Sequence, residues 1–153
     1  MFAVVLRRIF LFSFLLSVAI QFIPYGRDHS NPPTRVEPQW DRPETRALAK
    51  QACFDCHSNE TVWPWYSNVA PISWLVQRDV DEGRKSINFS EWHRPQKDAD
   101  EVTKVIREGQ MPQWYYIMLH PPAKLSVGER ELLMLGLDDT VGGYELKTRR
   151  ASE

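Results

Sequence analysis

The sequence predicts a small all-α domain with long loops, preceded by an apolar N-terminal helix. Four stretches beyond the N-terminal segment carry apolar residues at the spacing of one helix face. No stretch keeps the alternation of a β-strand for long, and no Asn-Gly or Asp-Gly pair marks a tight hairpin. The loops expected at 58–70, 84–97 and 110–125 are long for so small a domain, which indicates that a bound group organises them.

Residues 1–24 have the plan of an export signal. Arg7 and Arg8 precede an uncharged apolar run of fifteen residues, Ile9 to Ile23. As a helix this run would rise about 22 Å, so an anchor would need tilt or thinning of the roughly 30 Å hydrocarbon core. We expect an uncleaved membrane anchor in preference to a cleaved signal peptide, with a buried core helix as the remaining alternative. Because positive residues stay in the cytoplasm, the rest of the chain is expected in the bacterial periplasm, held at the inner membrane.

The segment after the apolar helix, residues 25–42, is rich in proline and polar residues and is predicted to be a linker. The folded domain is expected at 43–140, before a polar C-terminal tail at 141–153. Its four helices are predicted to begin near Pro43, at Pro71, at Asp98 or Asp100, and at Ser126, with Glu129 completing a capping box and with Gly83 and Gly109 ending the second and third.

The charge pattern argues against a nucleic-acid partner. Nineteen basic and 20 acidic residues leave a formal net charge of −1, and no basic face stands out. The seven glycines form no Gly-rich phosphate-binding motif. The sequence therefore predicts neither a nucleic-acid surface nor a nucleotide-phosphate loop.

Both cysteines of the chain stand in one short motif, Ala-Cys-Phe-Asp-Cys-His, at residues 52–57. A disulfide between Cys53 and Cys56 would close a very small loop and stabilise little. A thiol redox motif is expected at a helix start that follows a strand, and a zinc site needs a second ligand pair, so neither fits well. Cys-x-x-Cys-His favours covalent attachment of one haem c, with both thiols forming thioethers and His57 binding the iron on the proximal side.

The second axial ligand of the iron must come from elsewhere in the chain. Met111 follows the predicted helix end at Gly109 and precedes Pro112, a position that can hold a thioether inward. Met111 is therefore the predicted distal ligand, and His120 is its rival. Aromatic residues are expected either to pack on the haem or to form ordinary core, and the candidates are Trp63, Trp65 and Tyr66. Side chains that could bind the haem propionates are Tyr66, Arg78, Arg84 and Arg107.

Four motifs carry a resemblance that covers about residues 40 to 137. They are Cys53-x-x-Cys56-His57-Ser58, Trp63-Pro64-Trp65-Tyr66-Ser67, Asn88-Phe89-Ser90-x-Trp92 and Met111-Pro112. Together they resemble the bacterial haem-binding domain family related to cytochrome c. The resemblance implies a cytochrome c-like helical domain with an N-terminal anchor. It also implies thioether sites at Cys53 and Cys56, a proximal His57 and a distal Met111. The stretch SNETVWPWYSNVAP departs from the Gly-rich segment of ordinary small cytochromes c.

The function expected from these features is one-electron transfer with redox partner proteins, and no enzymatic activity. One alternative is a haem-based sensor or ligand binder whose distal ligand is displaceable. Another is a peroxidase-like enzyme, for which His120 or Glu108 would have to act as an acid–base group.

Overall fold

The computed structural model describes residues 2–152, and the side chains of residues 2–142. The described residues contain seven α-helices and no β-strand, apart from a single bridge between Val36 and Glu91. The prediction of an all-α chain with an apolar N-terminal helix is confirmed. The α-helices are α1 Phe2–Ala19, α2 Pro43–Ala52, α3 Phe54–His57, α4 Ile72–Ser86, α5 Val102–Arg107, α6 Trp114–Leu119 and α7 Val127–Ser152. Short 3-10 helices lie at Ile20–Phe22, Trp65–Asn68, Ala99–Glu101 and Pro121–Ala123.

The chain forms two compact units. The first unit comprises the chain up to Ser30 together with Trp63–Asp79. The second comprises Asn31–Val62 together with the chain from Val80 onward, and it contains the motif with both cysteines.

In the first unit, α1 and the following 3-10 turn form an apolar stretch, Phe2–Phe22, of 21 residues with a mean hydropathy of 2.1. None of the residues of α1 is buried, so it is not a core helix. Its length and composition are compatible with a membrane anchor or a signal sequence. The helix begins several residues before the apolar run that the sequence singles out, because Arg7 and Arg8 are themselves helical.

In the second unit, the core forms where α2, α5 and α7 pack together. Phe54, Phe89 and Trp92 stack in series, with ring centroids 5.6 Å apart for the first pair and 5.7 Å apart for the second. α2 and α7 approach closely at Gly136, where an added Cβ would lie only 2.6 Å from Cγ2 of Thr45. This packing buries Leu133 and Leu137 of α7 almost completely, which fixes α7 beside the helix that leads into the cysteine motif.

Two predicted helix boundaries are confirmed by backbone geometry. Gly109 has φ +72° just beyond the end of α5, the left-handed conformation of a helix C-terminal glycine. At the start of α7 the Ser126 backbone N–H donates to the Glu129 carboxylate at 2.8 Å, and the Glu129 N–H donates to the Ser126 hydroxyl at 3.3 Å. This reciprocal pair is the predicted capping box.

Two other sequence expectations were wrong. α4 does not end at Gly83 but continues to Ser86. The expected loop at 110–125 contains α6, Trp114–Leu119, and a 3-10 turn at Pro121–Ala123. In both places, contacts with distant parts of the second unit override the local sequence signal.

Candidate functional site

The cysteine motif is a single tight turn at the end of α2. The Cys53 N–H donates to the Ala49 carbonyl at 2.8 Å, and the His57 N–H donates to the Cys53 carbonyl at 2.9 Å. Phe54, between them, is only 2% exposed and fills the aromatic core. Burial of this ring therefore anchors the turn, while both cysteines are half-buried and form no disulfide. Burial raises the pKa of the Cys53 thiol to about 12, so it is protonated at neutral pH.

The end of α4 packs directly on this turn at Gly83. A Cβ added there would overlap the carbonyl oxygen of Cys56 and lie 2.9 Å from its carbonyl carbon. Only a residue without a side chain allows the two backbones to come this close. Gly83 is therefore a packing position within the helix, which explains why its prediction as a helix end was wrong.

The His57 ring is fixed by the segment that follows α4. Its Nδ1 lies 3.2 Å from the Ile87 carbonyl oxygen. Because a carbonyl can only accept, Nδ1 must carry the proton and donate. Burial lowers the pKa of His57, against smaller opposing effects of hydrogen bonds to the Ile87 and Gly83 backbones. The ring is thus held neutral, with the lone pair of Nε2 available to a metal, as in most metal-binding histidines.

A cavity of about 380 Å³ lies beside the motif, within the second unit. Its volume is within the range of about 300–1,000 Å³ typical of sites for small molecules and cofactors. Cys53, His57 and Met111 all line it. Much of the remaining wall is apolar and includes Val102, Val105, Ile106, Ile117, Leu133 and Leu137. The fold therefore brings Met111 to the same cavity as the motif, whereas Cys56 is not among the residues that line it.

Four charged residues also line the cavity, and sequence reasoning missed all of them. Two are acidic, Asp98 and Glu101, and Asp98 accepts a hydrogen bond of 2.6 Å from the Ser86 hydroxyl. Two are basic, Lys124 and Arg130. Within the described part of the chain, neither basic side chain makes a hydrogen bond or an ion pair. No local sequence pattern indicates that Lys124 and Arg130 line a cavity, since only the packing of α7 and the preceding turn brings them to this wall.

Arg84, in contrast, makes three side-chain hydrogen bonds to the protein. Its Nε donates to the Ser58 carbonyl at 2.8 Å, and its Nη2 donates to Asn31 Oδ1 at 3.0 Å and to the Thr61 hydroxyl at 3.1 Å. Burial lowers the pKa of Arg84, and nearby carboxylates such as Asp81 offset part of this effect. Arg84 therefore holds the loop that follows His57 through its Nε and Nη2 groups. It is not among the residues that line the cavity, and its role toward a propionate stays a prediction.

A buried polar network holds the segment that positions His57. The Asn88 side-chain N–H donates to Asn59 Oδ1 at 2.9 Å, and the Asn59 backbone N–H donates to the Ser90 hydroxyl at 2.9 Å. The Ser90 backbone N–H in turn donates to Asn88 Oδ1 at 2.9 Å. The Phe89 N–H donates to the His57 carbonyl at 2.8 Å. The histidine is thus held through its ring and its backbone by one segment.

α6 is joined to the cysteine motif by one short hydrogen bond. The Tyr116 hydroxyl donates to Asp55 Oδ2 at 2.7 Å, and Asp55 lies between the two cysteines. Burial and the Asp55 carboxylate raise the pKa of Tyr116. His120 stacks on the Tyr116 ring with centroids 4.2 Å apart and is not among the residues that line the cavity. The structure therefore places Met111, rather than its predicted rival, on the wall that His57 also lines.

The three aromatic residues predicted to pack on a haem belong to the first unit. Trp63 stacks on His29 with ring centroids 4.6 Å apart. Trp65 is 79% exposed and meets Tyr66 edge-on at 5.9 Å. All the residues that line the cavity belong to the second unit, so haem packing by these three stays a prediction.

Comparison with known proteins returned one finding. The family model described as Haem-binding domain matches residues 15–139 of the chain. The comparison with curated proteins and the comparison with solved structures returned no match.

Proposed function

The chain belongs to the haem-binding domain family, and from this premise we propose that it holds one haem c through thioether bonds of Cys53 and Cys56. His57 is the proximal iron ligand and Met111 the distal ligand. When bound, the haem supplies a one-electron iron couple. The protein is then an electron carrier that serves redox partner proteins and has no enzymatic activity of its own.

One observation carries this proposal. The His57 Nδ1 donates to the Ile87 carbonyl, which leaves Nε2 as the only ring nitrogen that can bind a metal. The same ring lines a cavity that Cys53 and Met111 also line. The residues therefore fit a haem, since thiol, imidazole and thioether groups belong to one site with mostly apolar walls.

Two basic side chains of the cavity wall are suited to bind the propionate carboxylates of a haem. Lys124 and Arg130 line the cavity without a hydrogen bond or ion pair among the described residues. A carboxylate that met them would gain charge-assisted hydrogen bonds without breaking any existing contact. We assign the propionates to these two side chains in place of Arg84.

The surroundings of the site favour the reduced iron. A thioether ligand from Met111 stabilises ferrous iron, and apolar walls that exclude water act in the same direction. The Ile87 carbonyl has the opposite effect, because it makes the His57 imidazole more basic. The potential is therefore expected to lie above that of a two-histidine site but to be moderated by this hydrogen bond.

The location proposed is the periplasm, with the domain held at the inner membrane by α1. This proposal is supported by the apolar stretch Phe2–Phe22 and by Arg7 and Arg8 near its start. Covalent attachment suits such a location, because a thioether-bound cofactor cannot be lost by dilution.

The first test is a pyridine haemochrome spectrum of the full chain, exported in a host with a haem c maturation system. We expect a c-type spectrum that stays with the chain after denaturation. Replacing Cys53 or Cys56 singly by Ala should shift it to that of a single thioether, and replacing both should release the haem. A colourless protein with both thiols free or joined as a disulfide would refute the proposal.

Carbon monoxide distinguishes an electron carrier from a ligand-binding sensor. The ferrous protein should resist carbon monoxide, while Met111→Ala should bind it readily, because the distal position is then open. Met118→Ala is the matched control, since this methionine is 64% exposed on α6, and it should behave as the wild type. Ready binding by the wild type would instead favour a sensor with a displaceable distal ligand.

A further inference from the structure

We propose that the segment Trp65–Ile72 is a second membrane contact, which lies in the interfacial layer of the bilayer that α1 spans. The occupant of this surface is therefore lipid, at the level where headgroups meet hydrocarbon. The proposal does not depend on the haem, and it assigns Trp65 a role other than haem packing.

The end of the apolar helix is tied to this segment by paired hydrogen bonds. The Gln21 side-chain N–H donates to the Ala70 carbonyl at 2.9 Å, and the Ala70 N–H donates to Gln21 Oε1 at 3.0 Å. Gln21 belongs to the 3-10 turn Ile20–Phe22 that continues α1. Ala70 itself is 5% exposed, so the contact is a packed one and places Ala70 and its neighbours at the end of the membrane helix.

Two further contacts reinforce this connection. Gly26 has φ +78° and packs so closely on Ser73 that an added Cβ would lie 2.5 Å from the Ser73 carbonyl oxygen. The His29 ring stacks on Trp63 and lies within hydrogen-bonding distance, 3.1 Å, of the Ser67 carbonyl oxygen. The chain that leaves the helix is therefore held at three successive points against residues 63–73, which include the proposed segment, and the start of the predicted linker is not free.

The positions of Arg7 and Arg8 near the start of α1 place the opposite end of the helix close to the hydrocarbon. Arg7 and Arg8 are costly inside the bilayer and belong at the cytoplasmic headgroups. An uncharged run of fifteen residues then remains, Ile9 to Ile23, and its rise of about 22 Å is shorter than the roughly 30 Å core. A short span is accommodated by thinning the bilayer around the helix. Gln21 and the attached segment are thus brought to the opposite boundary of the hydrocarbon.

The side chains of this segment match that environment. Trp65 is 79% exposed, and Val69 and Ile72, on either side of the paired Ala70, are 43% and 45% exposed. Exposed apolar side chains so close together in the chain are consistent with an interaction surface. Tryptophan is enriched at the membrane–water interface, because its ring is apolar and its N–H is polar. Arg27, which donates to the Gln21 carbonyl, supplies a cation beside them for lipid phosphates.

Photocrosslinking in native inner membranes tests the proposal directly. The photoreactive residue p-benzoylphenylalanine is placed at position 65 of the full-length holoprotein, and the peptide that carries it is examined by mass spectrometry after irradiation. The matched control places the same residue at position 114, because Trp114 is also an exposed tryptophan, at 74%, and lies in the second unit. We expect phospholipid adducts at position 65, at least five times more abundant than at position 114.

Three results would overturn the proposal. They are the absence of lipid adducts at position 65, equal lipid labelling at both positions, and an intact mass showing that the mature protein lacks α1. A protein adduct at position 65 without lipid counts as the first of these. The haem spectrum of the same membranes is recorded in parallel, so loss of haem binding and loss of lipid contact are separate readouts.

Discussion

Replacement of Gly83 by Ala should destabilise the second unit, although alanine is the better helix former. The new methyl group would overlap the Cys56 carbonyl and lie 2.9 Å from its carbon. Overpacking of this kind costs about 1–3 kcal/mol, and the upper end applies because backbone atoms cannot rotate away. Alanine recovers about 1 kcal/mol of helix propensity. The free energy of unfolding should therefore fall by about 2 kcal/mol.

Gly142→Ala is the matched control. Gly142 is also inside a helix, α7, but an added Cβ there meets no atom of the described residues within 4 Å. This variant gains helix propensity without a clash, so its free energy of unfolding should rise by about 1 kcal/mol. The two substitutions are chemically identical, and the expected difference between them is about 3 kcal/mol.

The measurement is guanidinium unfolding of the detergent-solubilised holoprotein, followed by helical circular dichroism. The reduction potential is recorded for the same samples, because Gly83 packs on the turn that carries His57. In Gly83→Ala the new methyl group should push α4 away from the motif and so change the reduction potential. In Gly142→Ala the potential should stay unchanged. Equal stability of the two variants would refute the close approach of α4 to the cysteine motif.

Three further variants test separate contacts. Tyr116→Phe removes the donor to the Asp55 carboxylate and should lower the free energy of unfolding by about 1.5–3 kcal/mol; unchanged stability would show that this bond is not formed in solution. Ser126→Ala removes the helix cap of α7 and should cost about 1 kcal/mol, while Ser126→Asp should restore it. The hydrogen bond from Arg46 lowers the pKa of Glu37 below its ordinary 4.5, so this pair stabilises the protein fully above that pH and less as the pH falls through the folded-state pKa. Glu37→Gln should therefore make the stability depend less on pH as the pH falls below 4.5, and an unchanged acid transition would contradict the ion pair.

The features that could be predicted from the sequence are those with local causes. Pro43 sets the first turn of α2, and the motif that follows needs only one turn of chain. The cap at Ser126 and the left-handed Gly109 depend on residues within three positions of each other. Met111 could be singled out because it lies just beyond the helix end at Gly109. It lines the cavity that His57 also lines, and its role as distal ligand stays a prediction.

The features that could not be predicted depend on partners far along the chain. The sequence around Gly83 is equally compatible with a helix end and with a close packing position. Only the tertiary contact with Cys56 distinguishes these two roles. α6 is six residues long and apolar on every side, so it has no periodicity to recognise, and it depends on Tyr116 reaching Asp55. No motif marks Lys124 or Arg130 as a ligand-binding residue, and the cavity exists only after α7 has packed.

The hydrogen bond that fixes the His57 ring also determines when the site can close during folding. The carbonyl that holds its ring belongs to Ile87, thirty residues further along the chain. Until residues 87–90 have joined the motif on the exported side of the membrane, the two thiols and the imidazole belong to an open chain. We therefore expect cofactor attachment to compete with folding, so that a variant with a slower-forming 87–90 segment would leave the motif accessible for longer and mature more completely.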